Sequence, residues 1–140
     1  MRICSRSMAV LIVLALINTV VIARADEVAE GRSIYLRYCA SCHGRNADGN
    51  GPIARSLTTP PTNLHLLSDL YGNPLEENKV ARAIDGRQEV KAHGPRDTPV
   101  WGERFYIEGQ GSKTQVHDRI RKLVAYLQSI QTGRHVALEH

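Results

Sequence analysis

Cys39-Ala40-Ser41-Cys42-His43 decides how the rest of this sequence is read. Two cysteines three positions apart on a helical turn present their thiols to one side. His43 follows at once, so its imidazole is brought to the same place as the two sulfurs. Three chemistries use paired thiols at this spacing. A thioredoxin-like redox pair needs a strand–helix–strand setting, whereas here a helical stretch precedes the motif and a glycine-rich stretch follows it. A zinc site needs two further ligands at short spacing, and His65 and His93 stand in no ligand-like pair. Covalent haem attachment needs two thiols, to add to the two vinyl groups of one porphyrin, and a neutral imidazole to hold the iron. The motif is therefore read as a c-type haem site, with Cys39 and Cys42 as tethers and His43 as the proximal iron ligand.

The N-terminus fits an exported chain. Arg2 and Arg6 precede an apolar-to-neutral run from Met8 to Ala23, and Ala23-Arg24-Ala25 is a small-x-small site before Asp26-Glu27. This is the pattern of a secretory signal peptide over 1–25, with the functional domain at 26–140. The run falls short of the roughly 20 residues that cross a bilayer, so an uncleaved membrane anchor is the lesser reading. Loss of the leader removes Arg2, Arg6 and Arg24 and leaves 15 basic against 14 acidic residues. The precursor's charge of +4 is thus no argument for nucleic acid as a partner. Cys4 leaves with the leader, and Cys39 and Cys42 alone make no disulfide framework. A domain with one Phe and one Trp needs help to form a core, and a large apolar cofactor supplies it.

The pattern along the chain is helical throughout. Residues 28–42 read as a first helix, capped by Asp26, with Val28, Ile34, Tyr35 and Tyr38 on its apolar side. Gly31 lies inside it, costly unless something packs closely there. Residues 44–63 and 86–102 are long Gly- and Pro-bearing loops, with a short apolar segment at Leu64 to Leu70. A second helix spans Leu75 to Asp85 and ends at Gly86. A last helix begins at Ser112 or Thr114 and carries Val116, Ile120, Leu123, Val124, Leu127 and Ile130 as a stripe. Asn46-x-Asp48-x-Asn50-Gly51 imitates half a calcium loop, but Leu57 stands where the closing Glu belongs.

Over residues 28–132 the chain resembles the class I c-type cytochromes. The resemblance rests on Gly31, Tyr35 and Cys39-Ala-Ser-Cys-His43, on Asp48-Gly-Asn-Gly-Pro52, on Pro61-Thr-Asn-Leu64 and on Tyr126 in Leu123-Val-Ala-Tyr-Leu-Gln128. It implies a small all-α fold of three main helices and long loops around one haem c. The first and last helices would cross at Gly31 with Tyr126 opposite. The Pro52 carbonyl would accept the Nδ1–H of His43, while Leu64 and Trp101 would line the pocket. Arg87, Lys91 and Arg96 could neutralise the haem propionates, although a solvated face suits each of them better.

The resemblance breaks at the far side of the iron. Relatives carry His-Gly-x-Arg-x-Met-Pro-x-Trp-Gly before the last helix; here the stretch is His93-Gly-Pro-Arg-Asp-Thr98-Pro-Val-Trp101-Gly102. Thr98 stands in place of Met, and the chain's two methionines, Met1 and Met8, lie in the leader. Three arrangements stay open: an open or water-bearing site near Thr98, His93 as a second imidazole, or ligation by His65, His135 or His140. The sequence thus leads to an exported, periplasmic electron carrier rather than an enzyme, serving redox partner proteins. A gas-binding protein with an open distal site, or a cytochrome subunit of a larger dehydrogenase, are the alternatives.

Overall fold

The computed structural model describes residues 22–87 and 100–132. Every regular element among them is helical. α1 runs over 22–38, and α2, Ala40–His43, continues it after a one-residue break at Cys39. Then come 3₁₀ turns at Ala54–Ser56 and Leu64–Leu66, and helices α3 (Ser68–Tyr71), α4 (Glu77–Asp85), α5 (Trp101–Glu108) and α6 (Lys113–Ser129). The fold is the small all-α cytochrome c type.

The expected helices are present with three changes. α1 starts before Asp26, which lies inside the helix instead of capping it. α4 starts at Glu77; Leu75 is buried in the turn before it, its N–H held by Gln128 Oε1 at 2.8 Å. α5 is a further helix of eight residues that the three-helix reading lacks. Two ends fall where the residue types place them. Ser112 caps α6, its Oγ accepting from Gln115 N–H. Gly86 closes α4 in the left-handed conformation at φ +68°.

α1 and α6 cross at Gly31. A Cβ there would run into the Lys122 carbonyl oxygen and stand 3.0 Å from the Cβ of Tyr126. The Tyr35 and Tyr126 rings meet next to it, 5.2 Å between centroids. Ion pairs flank the contact, with Lys122 to Glu30 at 2.6 Å and Arg121 to Glu27. α6 supplies more of the core than any other element, burying Val116, Ile120, Leu123, Val124, Tyr126 and Leu127. Tyr35 of α1, Val80 of α4 and Phe105 of α5 pack onto that surface. α1 passes residue 25 without interruption, and no helix among the described residues is long and apolar enough to cross a membrane.

Candidate functional site

The motif occupies the junction of α1 and α2. Cys39 keeps right-handed helical angles, φ −112° and ψ −30°. Its N–H bonds the Tyr35 carbonyl at 2.8 Å, and its carbonyl accepts from Cys42 at 3.2 Å and His43 at 2.9 Å. The helical turn therefore runs through the motif, and the two thiols stand one turn apart. Both cysteines are half-buried and unbridged.

The loop that follows is spent on closing α2. A helix leaves its last carbonyls without partners. Here Ile53, Gly51 and Gly49 donate their N–H groups to the carbonyls of Ser41, Cys42 and His43 at 3.2, 3.0 and 2.9 Å. Gly51 lies so close that a Cβ would meet the Cys42 carbonyl at 2.5 Å. Gly44 turns the chain at φ +81°, and its carbonyl accepts the buried Tyr35 hydroxyl at 2.5 Å. Burial, helped by the nearby Cys39 thiol, raises the Tyr35 pKa well above a phenol's ordinary value, so the hydroxyl remains a donor.

The chain then returns over residues 61–64. Leu64 N–H bonds the Ala47 carbonyl at 2.8 Å, and the Thr62 carbonyl comes to 3.0 Å from His43 Nδ1. This corrects the expectation for Pro52. Pro52 is exposed in the loop closing α2, and Thr62 provides the acceptor. The role is the same, because a carbonyl only accepts. Nδ1 must carry the proton, so in the neutral ring the lone pair sits on Nε2, the nitrogen a metal would take.

Electrostatics separate the readings of the thiol pair. Burial, followed by the neighbouring Cys42, pushes the Cys39 thiol up to about 12. A disulfide-exchange nucleophile needs the opposite shift, and no strand flanks the motif among the described residues. Nor, among the described residues, do three His, Cys, Asp or Glu side chains converge as a metal cage.

Two of the expected pocket residues stand near this junction. Leu64 is half-buried against the core. Trp101 meets the Tyr38 ring edge-on at 5.7 Å, and Tyr38 is the residue before Cys39. Ile53, in the loop that closes α2, and Leu66 and Leu70, in the turns that follow it, leave apolar side chains 43% or more exposed. Paired thiols, an imidazole with Nε2 as its acceptor nitrogen and uncovered apolar side chains are the chemistry of a haem pocket, so these residues fit the group.

His65 is used otherwise. Its Nδ1 lies 2.7 Å from the Ile130 carbonyl and its Nε2 2.6 Å from the Asn46 carbonyl, which turns both nitrogens to the backbone rather than to iron. Arg87 is bound side-on by Asp85, at 2.6 and 2.7 Å. His93, Thr98, Lys91, Arg96, His135 and His140 lie outside the described residues. An open groove of about 1070 Å³ between α4 and α6, lined by Arg82, Asp85, His117 and Arg121 among others, contains no residue of the motif.

Sequence reasoning missed Thr62, because a backbone carbonyl has no residue-type signature. It also missed the ties of His65 and a cluster at Glu108, whose carboxylate accepts from Tyr38 Oη at 2.5 Å, Arg104 at 2.8 Å and Arg119 at 3.1 Å. The family model described as cytochrome C oxidase, cbb3-type, subunit III matches residues 26–127. No curated protein and no solved structure matches the chain.

Proposed function

The chain belongs to the family of cytochrome c oxidase, cbb3-type, subunit III, whose domain carries haem-based electron transfer, and on that premise we propose that it is an exported monohaem carrier moving one electron between redox partner proteins. Cys39 and Cys42 tether a single haem c, and His43 is its proximal ligand. The bond from His43 Nδ1–H to the Thr62 carbonyl carries this reading, because it leaves Nε2 as the ligating nitrogen. The haem supplies the one-electron couple. The chain's part is to hold the imidazole in one orientation, to keep the Cys39 side apolar and dry, and to set the potential through the ligand's hydrogen bond. The leader over 1–25 and a periplasmic site of action belong to the same reading.

The test is haem extraction from the mature protein. Acidified acetone should leave the haem on the polypeptide, and Cys39→Ala with Cys42→Ala should release it. Full extraction from the wild type sinks the covalent assignment.

A second reading has its own support. No methionine follows Met8, so the distal ligand cannot be a thioether once the leader is gone. An open distal site makes a binder of carbon monoxide or nitric oxide instead of a plain carrier. Rapid carbon monoxide binding to the reduced protein decides for it. A low-spin spectrum that ignores carbon monoxide and is lost in His93→Ala decides for bis-histidine electron transfer. Since a thioether raises a haem potential, Thr98→Met should raise it, and an unchanged potential counts against the alignment of Thr98 with the family's methionine.

A further inference from the structure

His65 is the residue whose chemistry the haem reading leaves unexplained. It sits in the 3₁₀ turn Leu64–Leu66, where Asn63 Oδ1 accepts its backbone N–H at 3.0 Å. Both ring nitrogens point at backbone carbonyls, Nδ1 at Ile130 and Nε2 at Asn46, 2.7 and 2.6 Å away. A carbonyl offers no proton, and a neutral imidazole has one N–H. Making both bonds at once takes a proton on each ring nitrogen.

The two carbonyls come from distant parts of the chain. Asn46 is three residues past His43, in the loop that closes α2, and Ile130 ends α6. Around the ring the turn that carries His65 is itself stitched to the end of α6. Thr132 N–H bonds the His65 carbonyl at 3.1 Å. Gln131 Nε2 bonds the Leu64 carbonyl at 2.8 Å, and Gln131 Oε1 accepts from Ser68 N–H at 3.0 Å. The stretch so fixed starts at Thr62, the acceptor for His43. Asp48 is the charged group set toward the ring from the attachment loop, and the His65 charge helps hold its carboxyl below the ordinary range, after its bonds to Asn50. The end of α6 from Gln128 to Thr132, and residues 61–67 apart from His65, have no ionisable side chain.

We propose that His65 is a positioning residue for the haem iron: as an imidazolium it clasps the attachment loop to the end of α6 and holds the Thr62 carbonyl against the His43 ring. This rests on the haem assignment of the preceding section. Where either ring N–H is missing, one of the two carbonyls loses its donor and one end of the clasp opens. His43's hydrogen bond then has less to hold it, and the ligand's basicity changes with it.

Three measurements on the holoprotein test this. Nitrogen-15 NMR of the wild type at pH 6 should find both His65 ring nitrogens bearing protons; one protonated nitrogen overturns the clasp. The His43 Nδ1 proton should exchange with solvent roughly five- to tenfold faster in His65→Gln, whose one amide nitrogen cannot stand in for two ring nitrogens on opposite sides. Val124→Ala, a core change away from the clasp, serves as the stability control. Equal acceleration in both variants reduces His65 to a generic structural role and overturns the proposal. The midpoint potential should be higher in His65→Gln than in the wild type, because a weaker bond at Nδ1 makes His43 a less basic ligand, and an identical potential also overturns the proposal. Haem staining of a denaturing gel separates the two claims. A chain without covalent haem fails the functional reading and this proposal with it, whereas a haem-bearing chain with unchanged exchange fails the clasp alone. The nitrogen measurement needs no variant, so it stands even if His65→Gln does not fold.

Discussion

At the scale of single residues, Gly31 shows a local cost offset by a tertiary contact. Glycine within a helix costs about 0.5–1 kcal/mol relative to alanine. Replacing it would recover that amount only if the new Cβ had room, and the Lys122 carbonyl occupies its place. Backbone cannot rotate aside as a side-chain tip can, so α1 and α6 would have to separate. Overpacking of this kind costs about 1–3 kcal/mol, which exceeds the gain in propensity. Gly31→Ala should therefore lower stability to denaturant, with the midpoint temperature falling by roughly 4–8 °C for each kcal/mol. An unchanged or raised midpoint would show that the crossing is looser than the contact implies. The sequence made this glycine legible because its cost demanded a reason, and Tyr126 supplied the facing partner. Thr62 had no such mark. Its backbone carbonyl does the work, and any residue type carries one.

Between elements, α5 holds the structure's least legible part. The stretch from Trp101 to Glu108 is short, starts just after Pro99 and includes Gly102, so its periodicity is too brief to announce a helix. What fixes it is tertiary. Phe105 is fully buried, with its ring edge-on to Tyr38 at 5.2 Å, and Glu108 draws on three elements at once. Tyr38 belongs to α1, Arg104 to α5 and Arg119 to α6. Truncating a buried aromatic costs about 3–5 kcal/mol, so Phe105→Ala should reduce the unfolding free energy by that order in denaturant titration. A loss below 1 kcal/mol would mean that α5 contributes little to the core. Glu108 gives the same junction a pH dependence. The Tyr38 hydroxyl first, then Arg104 and Arg119, hold its carboxyl down to about 2, against an ordinary value of 4.5. A carboxyl depressed by folding stabilises the native state fully above its unfolded value. That stability is lost as pH falls from 4.5 toward 2. Glu108→Gln should flatten the acid limb of the stability curve, measured by thermal melts between pH 5 and 2; parallel curves would remove the cluster from the account.

The molecule as a whole raises the question of what completes its core. Helix periodicity disclosed α1, α4 and α6, and the Cys39–His43 motif stands out because its chemistry is concentrated in five consecutive residues. The exposed apolar side chains Ile53, Leu66 and Leu70 were not legible, since they are scattered through a loop and two short turns, which periodicity cannot reach. Those side chains remain exposed in the folded polypeptide, in a chain with one Phe and one Trp to fill its interior. Covering a few hundred Å² of apolar surface at about 25 cal/mol per Å² contributes roughly 5–10 kcal/mol. That is comparable with the whole net stability of a domain, about 5–15 kcal/mol. A group that binds only the native state adds its binding free energy to folding, so a haem seated at this motif should decide whether this chain is folded at all at ordinary temperature. The double variant Cys39→Ser, Cys42→Ser, purified without haem, should lose the cooperative thermal transition seen for the holoprotein by circular dichroism near 222 nm. α6 is the element expected to retain most helicity, because its partners on α1, α4 and α5 do not depend on the motif. If the haem-free chain instead melts cooperatively within a few degrees of the holoprotein, the polypeptide core is sufficient by itself, and the exposed side chains around His43 are surface rather than the wall of a pocket.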